Sequence, residues 1–224
     1  MSVGALGKEV HILMRVVKEA EERKNEILDV AEKLFVTKGY DNTSTNDILE
    51  CVGIARGTLY YHFKSKEDIL DAMIERITLQ LMGKVKHIAE DKSIPVMERL
   101  PKTIIALNVN SGIGHEVVNQ VHKAQNALMH QKMQERILSG INPILTELLK
   151  EGIEEKIFST EFPAQAVEMI MLYANVMFDD VIEQTVEEKR QRMMGFIYNT
   201  ERILGSRQGT LKKVIMKIFD ASYE

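Results

Sequence analysis

The chain has 224 residues, 45% of them apolar and 28% charged, with a formal net charge of −4. That length makes one large domain or two small ones, and the apolar fraction is enough for a buried core, which excludes a disordered chain. The lack of Trp, 6% aromatics and only 4 Pro argue against a many-stranded β protein, and the mild acidity taken alone argues against a nucleic-acid binder.

From the N-terminus, MSVGALGKEVHILMR carries Glu9 and lacks the apolar core of a signal peptide; Met14 is an alternative start. Ile27, Leu28, Ala31, Leu34 and Phe35 form one apolar stripe of an amphipathic helix. It closes on Lys38 and on Gly39, a residue suited to a left-handed cap. Ser44 to Asp47 reads as a capping box with Asp in the acidic role, opening a two-turn helix that Gly53 ends. Cys51, the only cysteine, excludes an intrachain disulfide or a Cys-based zinc site; it is expected to pack in this helix rather than act as a sensing thiol. A third short helix spans about 55–63. Ser65 caps a longer one, with Glu67 and Asp68 in its first turn and Ile69, Leu70, Met73, Ile74, Ile77 and Leu81 on its apolar side.

Turn-like punctuation falls at 91–95 and 108–114. A long helical pattern then covers roughly 124–156, with Ile137, Leu138, Ile141, Ile144, Leu145, Leu148 and Leu149 inward and Pro143 expected to kink it. After a break at 159–163, helices are expected at about 164–183, 186–204 and 210–220. The longest apolar stretch, Met169 to Phe178, is about ten residues against the ~20 of a membrane span. No strand of credible length and no internal repeat is present. The expected class is all-α, with an N-terminal three-helix domain to residue 68 and a larger helical bundle over 69–224. A cytoplasmic location without a membrane partner is expected; the single cysteine fits a reducing compartment without proving it, and no stretch is long enough to span a membrane.

The two short helices around Gly53 have the layout of a helix-turn-helix. Ile48, Ile54 and Leu59 are expected to be buried, and the second helix is left free to present its other face to a major groove. Residues 51–66, CVGIARGTLYYHFKSK, hold Arg56, Lys64 and Lys66 and no acid, a local +3 in an acidic chain. Thr58, Tyr60, Tyr61 and His62 add donors suited to phosphate contacts. The same YYHF run at helical spacing also suits core packing, the role expected of Leu59 and Phe63. Whole-chain charge is therefore the wrong resolution: a small basic surface on an acidic body lowers non-specific affinity and orients the approach.

The run ILDVAEKLFVTKGYDNTSTNDILECVGIARGTLYYHFKSKEDIL, residues 27–70, resembles the DNA-binding domain of the TetR family of transcriptional regulators in LF-x-x-KGY, the T-S-x-x-D-I cap, the glycine turn and GTLYYHF-x-SKE. The resemblance implies an all-α homodimer, usually a repressor, whose larger C-terminal domain binds a small effector. It gives Thr45 and Asn46 a phosphate or base contact, brings Arg56 and Gly57 into the groove, and assigns phosphates to Thr58, Tyr61 and His62. Tyr60 would reach a base edge or pack beneath the helix, and Lys66 would pin the DNA backbone. Arg56 is the candidate for reading guanine through a bidentate bond. Ala55 stands where the family commonly has a Ser cap, and Ala caps poorly, at a cost of ~1 kcal/mol.

Beyond residue 70 the pattern is less specific. Val167, Ile170, Met171, Ala174 and Val181, then Met193, Met194, Ile197 and Leu204, form apolar stripes. The resemblance makes these a four-helix interface with a second copy, against a purely intrachain bundle. A dimer would place two reading helices on the half-sites of a near-palindrome in double-stranded DNA. Met129, His130, Met133, Tyr173 and Met177 are candidates for an effector pocket, or core fillers. His115, His122 and His130 lack the tight cluster of a metal site, so no metal and no cofactor is expected. From Glu151 to Glu188 ten acids face one lysine; Asp179, Asp180 and Glu183 in that run form a solvated face or the counter-charge for a cationic effector. No nucleophile–base pairing, phosphate loop or metal motif marks an enzyme. The function expected is a ligand-released DNA-binding repressor; the alternative is a DNA-binding regulator without a small-molecule effector, controlled by its level or by a protein partner.

Overall fold

The computed structural model describes residues 3–107, 124–178 and 185–220, with side chains from residue 19 to residue 219 in those ranges. Among them the chain forms nine α-helices and no strand: α1 (Val3–Lys38), α2 (Thr45–Val52), α3 (Arg56–His62), α4 (Lys66–Glu90), α5 (Val96–Ile105), α6 (Ala127–Glu154), α7 (Pro163–Met177), α8 (Val186–Ile203) and α9 (Lys212–Asp220). One turn of 3-10 helix, Ala124–Asn126, leads into α6. The all-α class expected from periodicity is the class observed.

Several elements differ from the pattern reading. α1 begins at Val3, far ahead of the stripe at 27. None of residues 19–26 is buried, so that stretch carries no apolar period to announce it, and an Arg23–Glu26 ion pair one turn apart supports it locally. α5 has no counterpart in the expectations; Pro95 is its N-cap and Pro101 lies within it, both residues that read as breakers in a sequence. α6 runs through Pro143 as one helix of 28 residues, because a proline removes one backbone donor while neighbouring turns keep theirs. α7 ends at Met177, and the expected continuation to 183 lies outside the described residues, as do His115, His122, Asp179, Asp180, Val181 and Glu183.

The described residues divide into two compact units, 3–76 with 124–132, and 77–107 with 133–178 and 185–220. In the first, Ile27, Ala31, Phe35, Ile48, Leu59, Phe63, Ile69, Leu70 and Met73 are buried together with Met129. The turn between α1 and α2 is fixed on several sides. Gly39 takes φ +93°, Thr43 Oγ1 donates to the Gly39 carbonyl at 2.7 Å, and Asn126 Oδ1 accepts from the Tyr40 amide at 2.6 Å. The Asp41 amide donates to the Gln125 carbonyl at 3.1 Å. Arg76 on α4 bridges Asp29 at 2.7 Å and Glu32 at 3.0 Å on α1.

In the second unit Leu81, Val85, Ala89, Ile141, Leu145, Leu148, Leu149, Phe158, Phe196, Ile197, Leu204 and Ile215 form the core. Two buried charges hold its ends. Arg99, 2% exposed, bonds the carbonyls of Ala89 and Ile94 and the Glu151 carboxylate. Glu201 accepts from the amides of Gly209 at 2.9 Å and Leu211 at 2.8 Å, closing the turn that starts α9. α9 packs on α5. Among the described residues no helix is long and apolar enough to cross a membrane.

Candidate nucleic-acid interface

The capping box at Ser44 forms with both of its bonds. The Asp47 amide donates to Ser44 Oγ at 3.2 Å, and the Ser44 amide donates to Asp47 Oδ2 at 2.6 Å. Lys38 Nζ reaches Asp47 Oδ1 at 2.8 Å. The Lys38 bond and then the Ser44 bonds hold the Asp47 carboxyl far below the usual carboxylate range. This arrangement satisfies the leading amides of α2 and fixes where its N-terminus points. Gly53 ends α2 at φ +74°, with its amide on the Leu49 carbonyl at 2.9 Å; the left-handed conformation, not lack of space, demands glycine there.

α3 then turns Leu59 and Phe63 inward and leaves Arg56, Gly57, Tyr60 and Tyr61 exposed, with Thr58 and His62 half-buried. Ile54, expected to be buried, is half-buried, since it sits in the turn rather than on a helix face. Cys51 is exposed rather than packed, because the buried side of so short a helix is taken by Ile48. Ala55 is the N-cap of α3 and makes no side-chain cap bond.

Thr45, Arg56 and Tyr60 come together. The Arg56 guanidinium carbon lies 5.5 Å from the centre of the Tyr60 ring, and hydrogen bonds from Arg56 and then Thr45 hold the Tyr60 hydroxyl below its ordinary pKa. Tyr61, 80% exposed, stands edge-on to His62 at 5.0 Å. Asn46 is exposed beside Thr45. Lys66, the first residue of α4, is turned inward: its Nζ donates to the Tyr40 carbonyl at 2.8 Å and lies 4.1 Å from the centre of the Tyr40 ring. That bond uses one of its three donors.

A Cβ built on Gly57 would meet no atom of the protein within 4 Å. Glycine inside a helix costs about 0.5–1 kcal/mol relative to alanine, so Gly57→Ala is expected to raise stability by about that amount in a urea unfolding curve. Nothing in the folded chain requires this glycine.

The C-terminal candidates are placed differently from their sequence grouping. Met129 and His130 belong to the first unit; Met133, Tyr173 and Met177 belong to the second. Met129 and Met133 are buried core residues. Tyr173 stacks on Phe196 at 5.6 Å, and Met177 Sδ takes a contact from Arg192. An open groove of about 450 Å³ in the second unit is lined by Ser139, Asn142, Pro143, Thr146, Glu147, Ala164 and Glu168, and by none of those five.

Of the expected interface residues, Val167, Ile197 and Leu204 are buried in the core of their own chain. Ile170, Met171, Ala174 and Met193 pack against that core as half-buried residues. The large apolar side chains left open are Met169, Leu172, Tyr173 and Val176 on α7 and Val186, Met194 and Tyr198 on α8. A hydrophobic helix face and its solvent face cannot be told apart by period when both are apolar, and only the burial separates them. Among the described residues no three His, Cys, Asp or Glu side chains gather as a metal site would require.

Sequence comparison matches residues 27–73 to the family described as bacterial regulatory proteins, tetR family, and residues 107–197 to the tetracyclin repressor-like C-terminal domain. The two matches together span more than half of the chain. The HTH-type transcriptional repressor KstR2 of Rhodococcus jostii is 29% identical over 155 residues, 64% of this chain and 71% of that one. Among solved structures, a TetR-family transcriptional regulator from Pectobacterium atrosepticum aligns with a TM-score of 0.55 at 16% identity, covering 92% of this chain and 93% of that one. The fatty acid degradation regulator FadR from Bacillus halodurans aligns with a TM-score of 0.54 at 20% identity, covering 89% and 93%. At such identities the solved structures share the fold.

Proposed function

The chain belongs to the tetR family of bacterial regulatory proteins, DNA-binding transcriptional regulators, and from that premise we propose that it is a homodimeric repressor whose two α3 helices read a near-palindromic operator and which a small-molecule effector releases. The observation that carries the DNA-reading part is the outward face of α3. Arg56, Gly57, Tyr60 and Tyr61 are open on it while Leu59 and Phe63 anchor the helix from behind. A short helix held by two buried side chains, beside a capped N-terminus carrying Thr45 and Asn46, is a rigid reading head. Gly57 supports this reading: with no neighbour of its own to avoid, it lets a DNA backbone approach closely, so the alanine that stabilises the fold is expected to weaken DNA binding.

The roles divide by contact type. Arg56, kept near the surface by Tyr60, reads a base; Thr45, Asn46, Thr58, Tyr61 and His62 hold phosphates, and Lys66 lends the charge of its remaining donors. The first unit is the DNA-binding domain, and the second carries effector binding and dimerisation. The coupling free energy between effector binding and DNA binding sets the response.

Arg56→Ala tests the base-reading role. A gel-shift or anisotropy titration should show about 5- to 150-fold weaker binding to a selected operator, the worth of one bidentate base contact, and little change on random duplex. Equal losses on both DNAs would make Arg56 a phosphate contact and overturn the assignment.

A further inference from the structure

The first unit is not completed by the N-terminal helices alone. Residues 124–132 belong to it, although they lie outside the N-terminal family match and inside the C-terminal one. Their bonds converge on the turn between α1 and α2. Asn126, 1% exposed, takes the Tyr40 amide on Oδ1 at 2.6 Å across 86 residues of chain. The Gln125 carbonyl takes the Asp41 amide at 3.1 Å. The Gln125 side chain fills the notch left by Gly39, where a Cβ would come within 2.6 Å of its Cγ. Lys132, one turn and a half further along α6, bridges Asp71 at 2.7 Å and Glu67 at 2.9 Å in the first turns of α4. Hydrogen bonds to Asp71 and then Glu67 hold its pKa above the ordinary lysine value.

The same turn is gripped from its other side, where the Tyr40 carbonyl takes Lys66 Nζ. From Tyr40 the path to α2 is short and rigid. The Thr43 amide donates back to the Tyr40 carbonyl at 3.2 Å, Thr43 Oγ1 donates to the Gly39 carbonyl, and Ser44 is the N-cap of α2. The tilt and height of the α2 N-terminus are therefore set by where the Tyr40 peptide is held. Buried donors must be paired, and the partner that pairs this one comes from the C-terminal half of the sequence.

We infer that Asn126 is a positioning residue for DNA binding: by holding the Tyr40 amide it places the N-terminus of α2, and with it Thr45 and Asn46, against the DNA backbone. The inference rests on the reading that Thr45 and Asn46 touch DNA. Sub-ångström placement of a contact decides its strength, since hydrogen bonds weaken steeply with distance and angle. Asn126 would thus influence binding without touching DNA itself.

The test is a double-mutant cycle in the full-length chain. Its probe is a duplex selected from a random-sequence pool by the wild-type protein, and its readout is affinity by fluorescence anisotropy at fixed salt. Asn126→Ala is expected to weaken binding about tenfold or more. In a Thr45→Ala, Asn46→Ala background the same change is expected to cost less than about twofold, because the contacts it positions are already gone. Asn126→Ser is the second variant. Serine suits a position before a helix as well as asparagine does but is too short to reach Tyr40, so it should reproduce the loss with the helix content retained.

If Thr45→Ala, Asn46→Ala itself leaves affinity unchanged, the DNA-contact reading of those residues fails, and the inference with it. If that variant weakens binding while the Asn126 substitutions cost the same in both backgrounds, or nothing in either, the contact reading stands and the positioning role is overturned. A loss that appears only with Asn126→Ala and not with Asn126→Ser also overturns it.

Discussion

Arg99→Ala is expected to lower the stability of the chain by about 3–5 kcal/mol, the cost of removing one partner from a buried, hydrogen-bonded charge pair. The guanidinium donates from Nε to the Ile94 carbonyl at 2.8 Å, from Nη1 to the Ala89 carbonyl at 2.7 Å and from Nη2 to Glu151 Oε2 at 2.5 Å. The two carbonyls end α4 and form the turn after it, where helix geometry leaves acceptors without partners. Glu151 also receives Lys92. Burial pushes its carboxyl up, but the bonds from Arg99 and then Lys92 outweigh this and hold it below the usual carboxylate value.

Alanine at 99 would strand two carbonyls and leave the carboxylate with one exposed lysine. Lys92→Ala, by contrast, removes a side chain that is 65% exposed and should cost less than about 1 kcal/mol, as surface pairs do. Urea unfolding curves of the two variants would separate them by midpoint at constant slope. Equal, small losses would show that water replaces Arg99 at no cost and that the cluster does not hold the end of α4.

Much of the α2–α3 segment was legible because its signals are local. Ser44 and Asp47 are three residues apart, Gly53 needs only its own φ, and Leu59 on α3 lies four residues before Phe63 at its C-cap, so the caps, the turn and the buried side follow from short windows of sequence. What escaped was set by partners far along the chain. Nothing around Asn126 announces that it pairs with Tyr40. Lys66 reads as a free cation until the Tyr40 carbonyl is found beside it.

The residues of the expected interface stripe were divided by burial for a different reason. α7 is apolar on more than one side, so Val167 and Leu172 carry the same periodic signal although Val167 is buried and Leu172 is open. α5 was hidden by its prolines.

That distinction on α7 leads to the second large effect, in which Leu172→Glu is expected to turn the proposed dimer into a monomer of 25.6 kDa. Met169, Leu172, Tyr173 and Val176 recur at i, i+3, i+4 and i+7 and stand 42–60% exposed, while Met194 and Tyr198 lie one turn apart on α8, each 46% exposed. Monomers rarely expose contiguous apolar patches, and those that are exposed mark sites of contact with another surface or a ligand; the dimer reading takes this stripe as its contact. A second copy of the same two helices would cover it as a four-helix contact. A carboxylate at the centre of that contact would have to be buried without a partner.

Light scattering should report the change in mass, and DNA binding should follow it. A monomer holds only one half-site, and losing the second removes an intramolecular contact worth about 10²–10⁴-fold in apparent affinity. Leu204→Ala is the contrast. Its side chain lies in the core of its own chain, so it should lower the unfolding midpoint and leave the mass of the folded protein unchanged. If Leu172→Glu instead leaves mass and operator affinity as they were, the open stripe of α7 is not the dimer face. If Leu204→Ala splits the dimer, the residues grouped by sequence period are the interface after all.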